Sequence, residues 1–194
     1  MNLASPIQLK IIFRENKMID DDIIIVLQKF SKDNSLVYNQ SPMPYRPCGE
    51  ILGIIKDYVF KVYIYQSESS ISSRLSTVFE LQSTDLFPKG FCIEHLGDIY
   101  SKNESFDKKI HIRSYNTEIV KEYLNDKIKS ILTDTFNYIT ELENSIFKIR
   151  SYIRLSDENI SLTVGWISKD YDEFSKAYIS VSQIFSSLIR NLKK

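Results

Sequence analysis

Four residues able to act as nucleophile, acid or base fall close together in FCIEHLGD: Cys92, Glu94, His95 and Asp98. A thiolate beside an imidazole would make a nucleophile with its base, and an imidazole among carboxylates would make a hydrolase-type centre. The spacing argues against both. The segment has the composition of a strand, in which successive side chains point to opposite faces, so Cys92 and Glu94 share one face and His95 takes the other. A buried structural Cys92 is the expectation, and a hydrolase around Glu94, His95 and Asp98 is kept as an alternative reading. His95 and His111 are the two histidines of the chain, and no His-x-x-x-His or comparable spacing supports a metal site. No phosphate loop is formed by Gly49-Glu50-Ile51-Leu52-Gly53, and no Gly-x-Ser-x-Gly elbow occurs. No catalytic residue, metal or cofactor is therefore assigned.

Two strand edges offer a different chemistry. In FDKKIHIRSYN, Lys109, His111 and Arg113 alternate with Ile110 and Ile112, which gives one cationic and one apolar edge. In a second hairpin, Lys148, Arg150 and Arg154 are expected to share a face with Tyr152. Were these strands neighbours, their basic groups would form a patch suited to phosphates or an acidic partner. The competing reading is a solvated face neutralised by Glu118, Glu122, Asp126, Glu141 or Glu143, each exposed pair being worth about 0–1 kcal/mol. Tyr63 and Tyr65, beside Val59 on the outer face of the first hairpin, make an apolar strip interrupted by Lys61. Exposed, that strip would serve another protein or self-association; beneath the N-terminal arm it would be core.

The elements that must position these residues are legible from periodicity. Asp20, Asp21 and Asp22 precede Ile23, Ile24, Leu27 and Phe30, which predicts a helix with acids at its positive end. Pro42, Pro44 and Pro47 then mark a connection. From Gly49 the period becomes two: Ile51–Ile55 and Tyr58–Tyr65 form a hairpin across Lys56 and Asp57, with Tyr58, Phe60, Val62 and Ile64 facing the core. Further strands are expected at Thr77–Leu81, Phe91–Leu96 and Lys108–Arg113. Asn116 is read as a helix N-cap, followed by an apolar stripe from Val120 through Leu142 with a break near Asn125 or Thr133. Ile146–Leu155 and Ile160–Ile167 should form another hairpin, with Phe147, Ile149, Ile153 and Leu155 inward against Leu162, Val164 and Trp166. The stripe Phe174, Ala177, Tyr178, Val181, Ile184, Phe185, Leu188 and Leu192, led by acids and closed by bases, predicts a long final helix. The expected fold is α+β: an antiparallel sheet built of hairpins, packed by a central and a long C-terminal helix, with residues 1–48 as a helical arm and 49–194 as the main domain.

Composition bounds the partners. The 194 residues are 43% hydrophobic and 26% charged, and 25 basic side chains balance 25 acidic ones, so no global positive field gathers nucleic acid, which is not expected as a partner. Two cysteines, Cys48 and Cys92, are too few for a disulfide framework, and a cytoplasmic setting is expected. The most apolar run, Ile23–Leu27, is far below the about 20 residues of a membrane span. Lys10, Arg14, Glu15 and Lys17 interrupt the segment a signal peptide would need to keep apolar.

From Phe106 the pattern FDKKIHIRSYNTEIVKEYL, followed by a hairpin carrying ISLTV, resembles a prokaryotic domain family that often follows membrane anchors. The likeness covers the second half of the chain, more loosely the region from Gly49, and its motifs are structural: a strand, a short helix entered at Asn116, then a hairpin. The resemblance implies no assigned activity and no catalytic residues, and no anchor is expected here. The function expected is a noncatalytic interaction or scaffolding module with a local basic strand face; a binder of a small anionic ligand or lipid headgroup is the alternative.

Overall fold

The computed structural model describes residues 21–40, 46–67, 74–82, 84–96, 110–112 and 117–193. Eight strands form one antiparallel sheet: β1 (Val37–Asn39), β2 (Glu50–Ile55), β3 (Tyr58–Ser67), β4 (Arg74–Gln82), β5 (Cys92–Leu96), β6 (Ile110–Ile112), β7 (Ser151–Ser156) and β8 (Asn159–Val164). Their spatial order is β1-β2-β3-β4-β8-β7-β5-β6. The helices are α1 (Asp21–Asp33), α2 (Thr117–Tyr123), α3 (Asp126–Leu142) and α4 (Tyr171–Leu192). The α+β class, the antiparallel hairpins and the packing by a central and a C-terminal helix are as the periodicity predicts.

Alternation decides which side of the sheet is dry. Ile51, Val62, Phe79, Leu162, Ile153 and His95 are successive partners across the ladders, so they lie on one face, and all are buried. Helix α4 covers that face. Phe60 meets Phe185 and Tyr178 edge-on at 5.8 and 5.3 Å between ring centroids, in the range aromatic pairs prefer. From α1, Phe30 packs on Phe174 and Tyr178 of α4 at 5.1 and 4.8 Å, so the described helix of the N-terminal segment shares the core, while β1 extends the sheet.

Local chemistry sets the boundaries. The β2–β3 turn is Lys56-Asp57, both at positive φ (51° and 72°), the left-handed pair that a two-residue hairpin requires. The long apolar stripe breaks at Asn125, whose side chain accepts from Ile128 N at 3.1 Å and starts α3. Asp170 does the same for α4 through Glu173 N at 2.8 Å. Gly49 has φ 75°, and a Cβ there would lie 2.5 Å from the Asn39 carbonyl oxygen, so only glycine lets the chain return this close to β1.

Two expectations fail in the second hairpin. The strand predicted from Ile146 begins at Ser151, because α3 runs into a π-helical turn at Glu143–Phe147 and Lys148 then turns left-handed at φ 56°. Buried Glu143 secures the turn: its Oε1 accepts from the backbone N and the hydroxyl of Ser151. Ile149, predicted to face inward, consequently lies outside the strand and is 41% exposed.

Candidate functional site

The face away from α4 carries the polar partners of the same strands. One row across it reads Val37, Leu52, Lys61, Glu80, Ser161, Arg154 and Glu94, with His111 paired to Glu94 in the ladder. Strand β5 is therefore inserted between β6 and β7. The two basic stretches are not neighbours, and a carboxylate stands between His111 and Arg154. Lys109 and Arg113 lie outside the described residues. Lys148 sits at the end of the π-helical turn with its Nζ donating to Asn144 O at 2.7 Å. Arg150 is exposed ahead of β7 rather than on it. Of the second stretch, Tyr152 and Arg154 do share a strand face, Tyr152 half-buried and Arg154 exposed.

The hydrolase candidates separate as the pleat requires. His95 is buried on the helix-covered face, stacked on Phe136 of α3 at 4.5 Å between centroids and 20° between planes. Glu94 belongs to the outer row, and Asp98 lies outside the described residues. Cys92 is half-buried rather than buried, lining a cleft of about 390 Å³ with Phe91, Glu94, Arg154, Ser156 and Asp157. Among the described residues, Arg154 makes no ion pair.

The aromatic strip divides. Tyr65 is exposed, but Tyr63 is buried on the outer face by a small polar cluster. The Arg46 guanidinium lies 4.1 Å from the Tyr63 ring centroid and 2.6 Å from Glu50 Oε2, and the Tyr63 hydroxyl donates to Glu80 Oε2 at 3.1 Å. Burial, then the Glu80 charge, raise the Tyr63 hydroxyl above its ordinary value. In its place stands an aliphatic patch that sequence reasoning missed. Ile54 is 77% exposed and Val37 59%; Ile54 pairs with the exposed Val59, and Val37 with the half-buried Leu52. Strict alternation along EILGII was the available signal, since Ile51 inward places Leu52 and Ile54 outward.

No protein-family model matches the chain and no curated protein matches it. Among solved structures, the crystal structure of the mycobacterial trehalose monomycolate transport factor A, TtfA, is similar at a TM-score of 0.49 and 8% identity, covering 89% of this chain and 97% of that one. An overlap of that degree transfers no activity. Among the described residues, no helix is long and apolar enough to cross a membrane.

Proposed function

We propose that the protein is a noncatalytic interaction module whose contact surface is the aliphatic margin of the outer sheet face, with another protein chain, of its own or a different kind, as occupant. The observation that carries this reading is the contiguity of Val37, Leu52, Ile54 and Val59 on a face that α4 does not cover. Leaving such side chains in water forgoes about 25 cal/mol per Å² of apolar surface, which a docked chain recovers. The balanced charge of 25 acids and 25 bases imposes no long-range repulsion on an approaching copy. The cytoplasmic setting belongs to this reading and is supported by two free cysteines.

The test combines sedimentation velocity with cross-linking from a photoreactive phenylalanine analogue at position 59, in lysate. The wild type should form either a concentration-dependent oligomer or one dominant cross-link; V37D/I54D should lose it, and Tyr138→Asp, on the helical layer, should keep it. A monomer that cross-links no more selectively than V37D/I54D would defeat the proposal. The Arg154 guanidinium, without an ion pair among the described residues, favours a second reading, a small anionic ligand in the Cys92 cleft. The neighbouring Glu94, Asp157 and Glu158 oppose it. Saturable phosphate or dicarboxylate binding lost in Arg154→Gln would select that reading.

A further inference from the structure

The outer face hides one large ring without α4 to cover it. Tyr63 points away from that helix, yet it is 8% exposed. On this face its ladder partners are Glu50 of β2 and Val78 of β4, and Val78 is buried too. Two residues further along β3, Tyr65 is exposed; in the other direction Leu52 lies diagonally across, since it pairs with Lys61. The hidden ring therefore borders the aliphatic margin on one side and an exposed tyrosine on the other.

The Tyr63 ring is closed over by a side chain of the segment that enters β2. The Arg46 guanidinium sits 4.1 Å from the ring centroid and is held there by Glu50 at 2.6 Å, the two paired side chains being 20% and 14% exposed. A cation on a ring face and a partly solvated ion pair are weak ties beside core packing, and salt screens the second. The other polar tie of Tyr63, from its hydroxyl to Glu80, does not pass through Arg46. Behind the guanidinium the backbone is fastened. Gly49 N donates to Arg46 O at 3.2 Å, the Tyr38 hydroxyl donates to Cys48 O at 2.8 Å, and Cys48 is fully buried. Rotation of the Arg46 side chain alone can thus uncover the ring while the entry to β2 stays in place.

Uncovered, Tyr63 joins Leu52, Val59 and Tyr65 in a larger apolar surface, with Lys61 lying along it in its pair with Glu80. We propose that Arg46 is an autoinhibitory latch, withholding Tyr63 from the aliphatic margin until a docking chain displaces the guanidinium from the ring. The docking chain then sets an apolar side chain where the guanidinium lay, and burial against Tyr63 replaces the contact given up. This inference rests on the reading that the margin of Val37, Leu52, Ile54 and Val59 is a docking surface, and it adds how that surface is regulated.

Hydroxyl-radical footprinting read by mass spectrometry tests the latch, beside sedimentation velocity and cross-linking from position 59. In Arg46→Ala, Tyr63 should be oxidised several-fold faster than in the wild type while Phe60 and Phe79 stay protected, and docking should tighten several-fold. Adding V37D/I54D to Arg46→Ala should remove that gain, which distinguishes an enlarged margin from a separate adhesive patch. Glu50→Gln keeps the Arg46 side chain and frees one end of it, so it should shift both readouts the same way by less; it decides the matter should Arg46→Ala lower the melting temperature. Tyr63 as protected in both variants as in the wild type would overturn the proposal. Docking no tighter in either variant, with V37D/I54D still weakening it, would overturn the latch and leave the docking surface standing. Docking that V37D/I54D leaves unchanged in both backgrounds would overturn the docking surface and the latch with it.

Discussion

The two faces of this sheet are made by the same strands and differ by a one-residue step. Toward α4, Phe60 and Phe79 are buried in a set of aromatic contacts; one position along the same strands, Lys61 pairs with Glu80 on the far side, both half-buried. The covered face is mainly apolar from β2 to β7, with Thr77 and Ser151 the polar side chains buried in it. The outer face is graded, with aliphatics at its β1–β3 margin and opposed charges from β4 through β5. The difference teaches that stability and interaction are assigned to alternate residues, so a substitution on one face can be nearly silent for the other's task.

That separation can be broken most severely at Phe79. Phe79→Ala should cost about 3–5 kcal/mol, read from urea unfolding, because the ring is fully buried and leaves a cavity between the sheet and its neighbours. A loss below 1 kcal/mol would mean that the covered face is not the stabilising one.

A smaller effect should come from alkaline pH. Burial pushes the Cys48 thiol from its ordinary 9.0 up to about 11. The folded protein therefore keeps the neutral thiol where the unfolded chain has already ionised. That contribution is complete below pH 9.0, falls as pH rises and is gone at about pH 11. After discounting for solvent screening the loss should be about 1–2 kcal/mol. Tyr38, Tyr63 and Tyr178, whose hydroxyls burial also raises, add to it above pH 10.0. Urea midpoints at neutral and alkaline pH for wild type and Cys48→Ala check this. The variant should show the shallower decline.

The smallest effect should be at the open margin. Ile54→Asp should change stability by no more than about 0.5 kcal/mol, since the side chain is already in water. A cost approaching that of Phe79→Ala would show that the aliphatic margin belongs to the folding core.

Much of this architecture was legible because period and punctuation agree. The α4 stripe, the Lys56-Asp57 turn and the break at Asn125 each follow from residues within one or two turns of the chain. The basic patch was not legible, since it required β6 and β7 to be neighbours and strand order is fixed by contacts remote in sequence. Its second segment also failed locally. Glu143 reaching Ser151 sustains a π-helical turn, and no pattern of apolar residues announces that. For Tyr63 the alternation placed the ring outward and left open whether the N-terminal segment covers it; only the fold shows Arg46 of that segment closing over the ring.

The sequence by itself determined which residues alternate, where helices start and stop, and hence that an amphipathic sheet would be closed by α4. These depend on backbone geometry and neighbours a few positions away. Only the tertiary structure decided that β5 separates the basic strands and that Val37 and Ile54 adjoin Leu52 and Val59 at an open margin. Pairing between distant strands is selected by the packing of the whole core, so what faces outward beside what is settled only when that core closes.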